Sequence, residues 1–350
     1  MNAPDSVPRL TALAHGGGCG CKIAPGVLSE LLKNSGGLAI PRELLVGIET
    51  QDDAAVYQIN EHQALVATTD FFTPIVDDPF DFGRIAATNA ISDIYAMGAT
   101  PIFALALLGM PLKNLPLEVI GRIVAGGEST CRVAGIPIAG GHSIDTVEPI
   151  YGLVVLGLVD PKHLKRNCEA KVGDTLILSK PLGIGIFSAA LKSGRLSDQQ
   201  YAQMITSTTT LNIPGAALGK LPGVNALTDV TGFGLLGHLL EVCRGSKLGA
   251  KITRKAIPVF EDTLALAASG AVTGASERNW MAYGDEVDLD SGCSNAWRAT
   301  LTDPQTSGGL LVSCTAKAAP DVLRLLHEGG FERSAVIGSM EAGEPRVTVV

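Results

Sequence analysis

The sequence predicts an α+β fold with two domains of similar size. Apolar runs typical of strands alternate with helix-like segments along both halves of the chain, and the first half also contains hairpin-like strand pairs. At 350 residues the chain is longer than one typical domain. A polar stretch with a proline, residues 160–167, separates the halves. We therefore expect a flexible glycine-rich N-terminal arm over 1–50, an N-terminal domain over 51–160 and a C-terminal domain over 168–350.

In the first half, the patterns assign most of the chain to elements. A helix is predicted over 25–33 and a loop over 34–41. Residues 51–57 lead into a strand, and a second strand covers 64–70. A helix is expected over 78–98, because Asp78 can cap it and Pro79 suits its first turn. Then follow a strand over 102–108, a helix over 115–134, a short strand over 136–139 and a strand over 151–159.

The second half is predicted to continue the alternation. Strands are expected over 173–178, 225–228, 310–313 and 335–338, and helices over 187–192, 235–243 and 316–328. Residues 179–185 are predicted to form a loop, and residues 256–290 show no clear period. This order favours a second α+β domain.

Composition limits the classes of partner and compartment. A net charge of -8 and a pI near 5.3 argue against nucleic acid or an anionic membrane as a partner bound through a general basic surface. No apolar run approaches the length of a membrane span, and the first residues lack the layout of a signal peptide. Seven cysteines, an odd number, fit reduced thiols better than a disulfide framework. We therefore expect a cytoplasmic protein.

The run HGGGCGCKI, residues 15–23, is the strongest candidate for chemistry in the sequence. Three glycines free the backbone, and two thiols and a lysine follow within four positions. An ammonium beside a thiol favours the nucleophilic thiolate, and Lys22 could equally bind a phosphate. The run therefore predicts a mobile arm that carries the nucleophile Cys19 and a cation. The alternative is a flexible tail with an incidental Cys-x-Cys pair.

Four aspartates form a second candidate site: Asp53, Asp70, Asp93 and Asp229. Two flank predicted strands, one lies on a polar helical face, and the last ends a strand in the other half. Carboxylates that converge repel one another unless cations neutralise them, and hard oxygen ligands select magnesium or calcium. Because magnesium completes its shell with substrate phosphates, the pattern predicts a magnesium–nucleotide site between the domains. Each aspartate alone could instead be a cap or turn residue.

Other glycine-rich runs could contribute to such a site. Residues 140–143, GGHS, could cradle an anion with backbone N–H groups or form a plain turn. No P-loop or kinase glycine loop is present, so a nucleotide would bind by another scheme. Lys180 could reach a phosphate or be a solvated surface lysine. The run DPQTSGG, residues 303–309, could shape a cleft or form a tight turn.

These motifs together resemble the selenophosphate synthetase (selenide, water dikinase) family. The resemblance covers essentially the whole chain in order, and it is carried by the following runs: GCGCKI at 18–23, DDAAVY at 52–57, TTDFF at 68–72, NAISD at 89–93, GGHS at 140–143, KPLG at 180–183, ERN at 277–279, TDVTGFG at 228–234 and DPQTSGG at 303–309. The arm is specific to that family. The aspartate and glycine motifs are shared with the wider aminoimidazole ribonucleotide synthetase-like ATPases.

The resemblance implies a fold and an activity. It implies two domains of the aminoimidazole ribonucleotide synthetase-like type and the conversion of selenide, ATP and water into selenophosphate, AMP and phosphate. Selenophosphate is the selenium donor for selenocysteine and selenouridine formation. Family members are homodimers whose first domains pair their sheets into a shared barrel. The implied cofactor is Mg²⁺, with ATP as substrate and a selenium-delivery protein as a candidate partner.

The resemblance also implies roles for individual residues. Cys19 matches the catalytic cysteine, which some members replace with selenocysteine, and Lys22 matches a catalytic lysine that also contacts the nucleotide. The magnesium ligands it implies are Asp53, Asp70, Asp93 and Asp229. The nucleotide-contacting positions it implies are Thr50, Gln51, Asp52, Asp70, Asp93, Gly141, His142 and Ser143.

Two other interpretations compete with this one. The first is another ATP-dependent enzyme of the superfamily, which makes an amidine or activates a carbamoyl group. The thiol arm argues against it, because those reactions do not require a thiol arm. The second is a thiol protein that carries selenium or a metal without catalysis, and a set of four aspartates argues against that.

Overall fold

The structure, a computed structural model, describes residues 9–22, 27, 31, 40–47 and 52–350. Within this part of the chain, two β-sheets with helices packed against them form the framework. Most of the helix predicted over 25–33, most of the loop predicted over 34–41, and the nucleotide positions Thr50 and Gln51 lie outside the described residues.

The first sheet belongs to the first half of the chain. Its strands are β1 (Leu44–Val46), β2 (Ala55–Asn60), β3 (Gln63–Phe72), β4 (Thr100–Met110), β5 (Ile138–Asp145) and β6 (Ile150–Val159). They lie in the order β1-β2-β3-β6-β4-β5, and neighbours are antiparallel except for the parallel pair β4–β5. The long strands predicted over 64–70, 102–108 and 151–159 are therefore present, each extended by one or two residues at one or both ends.

Two helices, α1 (Pro79–Ala96) and α2 (Leu117–Val133), pack together, and α1 covers one face of this sheet. As predicted, Asp78 caps α1: its side chain accepts a hydrogen bond of 2.9 Å from the backbone N–H of Asp81. Alternate side chains of the strands, such as Val66 and Val155, are buried beneath α1. Their neighbours on the opposite face remain partly exposed, and Phe71 is 48% exposed.

The second sheet belongs to the second half. Its strands are β7 (Thr175–Leu178), β8 (Val224–Asp229), β9 (Gly249–Ile252), β10 (Val287–Leu289), β11 (Leu310–Cys314), β12 (Ala335–Glu341) and β13 (Val347–Val349). The order is β10-β13-β9-β12-β7-β11-β8, with parallel pairs only at the β10–β13–β9 end. The helices of this half are α3 (Ile184–Lys192), α4 (Asp198–Thr208), α5 (Pro214–Leu218), α6 (Gly234–Ser246), α7 (Thr263–Ala268), α8 (Gly274–Tyr283), α9 (Asn295–Leu301) and α10 (Ala319–Glu328).

Several details differ from the sequence-based expectation. Residues 140–143 lie inside β5 and do not end a strand; Gly140 and Gly141 have φ of +149° and +157°, values that favour glycine, within that strand. Helix α4 was not predicted, although Ser197 and Gln200 form a capping box at its start. Residues 256–290, which show no clear period, contain the short helices α7 and α8 and the strand β10. No helix among the described residues is long and apolar enough to cross a membrane.

The hydrophobic core crosses the boundary between the halves. The rings of Phe187 on α3 and Phe260 lie tilted against each other, 5.2 Å apart between centroids, and both residues belong to the core built around α1. The same core takes in Leu10 and Cys19 from the N-terminal arm. The sequence predicts a mobile arm, whereas the described part of that arm contributes buried side chains to the core, and this burial stabilises its docking against the body of the protein.

Candidate active site

The described part of the N-terminal arm, residues 9–22, is docked at the junction of the two halves. Residues Gly18–Cys21 form one turn of 3₁₀ helix, and Gly18 has a φ of +53°. A β-carbon on Gly18 would lie 2.2 Å from Thr306 Oγ1, so this position requires glycine both for conformation and for space. The backbone N–H of Cys19 donates a 3.0 Å hydrogen bond to the same Thr306 hydroxyl. The glycine run therefore lets the arm approach the 303–309 loop closely.

The Cys19 thiol is enclosed by this docking. Its side chain is 1% exposed, and Sγ donates a hydrogen bond of 3.2 Å to Oδ1 of Asn89 on α1. Burial raises the pKa of the Cys19 thiol well above its usual range, and this outweighs the lowering by the nearby Lys22 ammonium. The sequence argument that Lys22 would produce a thiolate is therefore wrong for the docked arm. Burial in this conformation therefore favours the protonated thiol of Cys19.

Lys22 connects the arm to the aspartates. Its ammonium Nζ lies 3.0 Å from Asp70 Oδ2 on β3. Burial acts to lower the pKa of Lys22, but the charge of Asp70, with smaller contributions from Cys19 and Asp93, raises it well above its usual value. Gly232 lies beneath this part of the arm, since a β-carbon there would sit 3.2 Å from the Lys22 side chain. Lys22 is therefore a fixed cation facing the carboxylates.

The structure brings the four predicted aspartates into one region. Asp70 lies on β3, Asp93 lies on α1, Asp229 ends β8, and Asp53 precedes β2. Hydroxyl groups orient three of them. These bonds run from Thr228 to Asp53 at 2.9 Å, from Thr68 to Asp93, and from Ser92 to Asp229. The residues come from both halves of the chain, as the sequence pattern predicted.

Burial and mutual repulsion dominate the electrostatics of this carboxylate cluster, defined as Asp53, Asp70, Asp93 and Asp229. Burial raises the pKa of Asp53 and of Asp93 well above the usual value, and in both cases the charge of Asp229 is the next cause. Burial also raises the pKa of Asp229. Oδ2 of Asp53 is buried without a hydrogen-bond partner among the described residues. A cation would offset both the repulsion and the missing partner.

The cluster is not a closed coordination shell in this conformation. Across the described part of the chain, no group of three or more His, Cys, Asp or Glu side chains is placed to hold a metal ion by itself. Magnesium usually takes only one or two protein carboxylates and completes its shell with water and phosphate oxygens. The donor set therefore fits magnesium that arrives together with a nucleotide.

The predicted nucleotide positions fall in two places. Asp52 lies beside Asp53, and its Oδ1 accepts a hydrogen bond of 3.1 Å from the backbone N–H of Asn167. Gly141, His142 and Ser143 lie on β5, the exposed edge strand of the first sheet. Across the sheet, Asp70 on β3 pairs with Leu153, Leu153 pairs with Ala106, and Ala106 pairs with Gly141 on β5. Three strand spacings therefore separate Asp70 from Gly141, a distance of about 14 Å within one chain.

Sequence reasoning missed residues that link the arm to the cluster. Asn89 was named only within the run NAISD, and Thr306 and Ser307 only within the run DPQTSGG, which could shape a cleft or form a tight turn. The backbone N–H of Ser307 donates a hydrogen bond of 2.7 Å to Asn89 Oδ1, the same oxygen that accepts from the Cys19 thiol. Their positions follow from long-range packing, which spacing along the chain does not reveal.

Lys180 is neither a solvated lysine nor a phosphate ligand in this conformation. It is 5% exposed, and its ammonium donates to the carbonyls of Thr210 at 2.7 Å and Ser307 at 2.8 Å. Burial lowers its pKa to about 7. Lys180 therefore stabilises the 303–309 loop through its hydrogen bond to the Ser307 carbonyl.

Comparison with known proteins identifies the family. The chain matches the family description "AIR synthase related protein, N-terminal domain" over residues 51–159, and the corresponding C-terminal domain over 171–350. It is 63% identical to the selenide, water dikinase of Pseudomonas straminea, covering 99% of this chain and 97% of that protein. The chain belongs to the selenide, water dikinase family. A second member, from Burkholderia pseudomallei, is 62% identical over 98% of this chain and 97% of its own length.

The fold of this dikinase chain is shared with more distant proteins. The crystal structure of hydrogenase maturation protein HypE in complex with ATP superposes with a TM-score of 0.64 at 19% identity, covering 98% of this chain and 94% of that one. At that identity the likeness shows the fold alone. The predicted aminoimidazole ribonucleotide synthetase-like α+β fold is thus confirmed, and so is the predicted family.

Proposed function

We propose that this protein makes selenophosphate from selenide, ATP and water, releasing AMP and phosphate. The observation that carries the proposal is the docking of Cys19 and Lys22 onto Asn89 and Asp70. It joins the thiol arm to the carboxylate cluster in a chain 63% identical to a named selenide, water dikinase. Asn89 and Lys22 link the thiol to the carboxylate cluster. A thiol held next to a site for magnesium and ATP suits a reaction between ATP and selenide, a soft anion.

ATP and magnesium fit the acidic region on the chemistry of its donors. Asp53, Asp93 and Asp229, together with Asp70, would hold Mg²⁺, because their buried carboxylates repel one another and Asp53 Oδ2 has no partner among the described residues. When bound, magnesium neutralises the phosphate charge that would otherwise face these carboxylates. A structure of the same fold was solved with ATP, which supports ATP as the nucleotide.

Lys22 and Cys19 have different roles in this proposal. Lys22 stays charged because Asp70 raises its pKa, so it can bind a phosphate oxygen as a point charge. The Cys19 thiol is protonated while Asn89 accepts its hydrogen bond. It would act on selenium only after that proton leaves or the arm lifts. The docked arm also excludes water from the phosphoryl group intended for selenide.

Breaking both anhydride bonds of ATP requires two successive cleavages. We infer that the γ-phosphoryl group goes to selenide first and that enzyme-bound ADP is then hydrolysed to AMP and phosphate. Two cleavages concentrate negative charge on ADP, and several carboxylates that hold more than one metal ion would stabilise that state. The roles of Thr50, Gln51, Asp52, Gly141, His142 and Ser143 as nucleotide contacts stay predictions, as does a selenium-delivery partner.

The open face of the first sheet supports the predicted homodimer. Tyr57, Phe71 and Ile102 are each more than a third exposed, and the β3–β6–β4 register places Leu156 and Leu105 on the same face. A continuous apolar surface of this kind marks an interaction site. Light scattering of the parent and of a Phe71→Glu variant tests it: we expect a dimer and a monomer, and a monomeric parent would contradict the pairing.

The proposed reaction is tested by ATP consumption with and without selenide. We expect AMP and selenophosphate to appear only when selenide is present, as followed by phosphorus NMR. Ammonia and carbamoyl phosphate serve as alternative substrates for the other superfamily reactions. Turnover with either of these, and none with selenide, would favour the competing enzyme class. No ATP cleavage under any condition would favour a non-catalytic thiol carrier.

A further inference from the structure

We propose that Asn89 is the positioning residue that sets the thiol arm and Asp70 in one fixed arrangement. The inference rests on the proposed function for its catalytic meaning, but the contacts that support it involve only residues of this chain. Asn89 lies on α1, one turn before Asp93, and its side chain is fully buried.

Each polar atom of the Asn89 amide is bonded to a functional segment. Oδ1 accepts from the Cys19 thiol at 3.2 Å and from the backbone N–H of Ser307 at 2.7 Å. Nδ2 donates to Asp70 Oδ2, the same oxygen that lies 3.0 Å from the Lys22 ammonium. One side chain therefore contacts the arm, the 303–309 loop and the carboxylate cluster.

An amide is the group that suits this position. A carboxylate could accept from Cys19 and Ser307 but would face Asp70 with a second negative charge. An apolar side chain would leave the Ser307 N–H and the thiol without their acceptor, which is costly in a buried place. The residue type is therefore explained by having a donor and an acceptor at once.

The 303–309 loop, which contacts Asn89, is itself held in place by several hydrogen bonds. The Ser307 backbone has a φ of +50°, its hydroxyl donates 3.0 Å to the Ile85 carbonyl on α1, and its own carbonyl accepts from Lys180. Three hydrogen bonds of Ser307, to Asn89, to the Ile85 carbonyl and from Lys180, thus fix the loop where it meets Asn89. The arm is then placed against a fixed frame: Cys19 by Asn89 and Thr306, and Lys22 by Asp70.

The test is the rate at which Cys19 is alkylated, measured by mass spectrometry at one pH without selenide or ATP. In Asn89→Ala the arm loses one hydrogen bond, and we expect alkylation of Cys19 to rise about two- to tenfold. Asn89→Asp retains the acceptor for Cys19 but places a second negative charge against Asp70, so we expect a smaller rise in Cys19 alkylation than in Asn89→Ala. Cys131 on α2 is also buried, at 1% exposure, so its alkylation rate reports any general loosening of the fold. We expect that rate to stay at the parent value.

Activity gives the second readout. If the parent makes selenophosphate, kcat should fall about tenfold in Asn89→Ala, more than KM for ATP rises, because the reacting groups are misplaced while nucleotide ligands remain. Asn225→Ala is the matched control: it likewise removes an amide that donates to an aspartate, here to both oxygens of Asp174 at 2.8 and 3.0 Å, away from the arm. It should leave both Cys19 alkylation and kcat near the parent values.

Two results would overturn the inference. One is unchanged Cys19 alkylation in Asn89→Ala, and the other is a rise matched by Cys131. If Asn89→Ala does not fold, Asn89→Ser, which keeps a smaller polar group, carries the same comparison with Cys131. A parent that makes no selenophosphate would sink the proposed function, whereas the alkylation result would still decide the role of Asn89.

Discussion

Replacing Asp52 by Asn should make the nucleotide-free protein more stable at neutral pH. Burial raises the pKa of Asp52 to about 7, although the backbone N–H groups of Asn167 and Asp53 oppose the shift. The folded state therefore holds a proton that the unfolded state has lost between pH 4 and pH 7. By linkage, the parent loses stability across that window as the pH rises, and the Asn variant does not.

The size of the effect follows from the shift. From 3.8 to about 7 is about three pKa units, and each unit corresponds to about 1.4 kcal/mol, so the full difference is about 4 kcal/mol. Between pH 5 and pH 7 the difference in unfolding free energy between Asp52→Asn and the parent should grow by about 2–3 kcal/mol. Above pH 7 it should level off.

Urea denaturation at several pH values, with reversibility checked at each, measures this difference. Asp288→Asn is the control with the opposite sign, because a hydrogen bond from Arg346 lowers the pKa of Asp288. That carboxylate stabilises the fold above its usual pKa, so its Asn variant should be slightly less stable at neutral pH. Parallel stability curves for Asp52→Asn and the parent from pH 5 to pH 8 would refute the reasoning.

Three further predictions follow from the site. Cys19→Ser should abolish selenophosphate formation but keep the arm docked, since a hydroxyl can also donate to Asn89. We expect a thermal unfolding temperature near that of the parent and no product by phosphorus NMR. Full activity would contradict this prediction. Asn at Asp53, Asp93 or Asp229 should weaken magnesium–ATP binding roughly tenfold or more by calorimetry, and three parent-like titrations would rule out the shared site. With γ-labelled ATP in oxygen-18 water, the γ label should appear in selenophosphate and solvent oxygen in free phosphate; the γ label in free phosphate would reverse the inferred order.

The sequence predicted most of the architecture for physical reasons that the structure makes plain. Long apolar strands such as Ile150–Val159 and the capped helix Pro79–Ala96 follow from local pattern alone. Short elements did not. The strand Val287–Leu289 has three residues, too few for a period, and it pairs with Val347–Val349, 60 positions later.

The site was predicted in its acidic residues but not in its connections. Asp53, Asp70, Asp93 and Asp229 stood out because charge at strand ends and on a polar helical face is visible in sequence. The Asn89 bridge to Cys19 spans 70 positions, and the Thr306 contact spans 287, so no spacing rule could find them. The ionisation of Cys19 was predicted in the wrong direction, because burial, which the sequence does not show, outweighs the neighbouring lysine.

The most direct test of the central claim, that the thiol arm and the carboxylate cluster form one site, is the product balance of a single-turnover reaction. The parent and Cys19→Ser would each be mixed with magnesium, ATP and selenide, and AMP, free phosphate and selenophosphate would be quantified together. The account predicts the three products in equal amounts from the parent, and no selenophosphate from Cys19→Ser although ATP still binds. Equal selenophosphate from both proteins would contradict it.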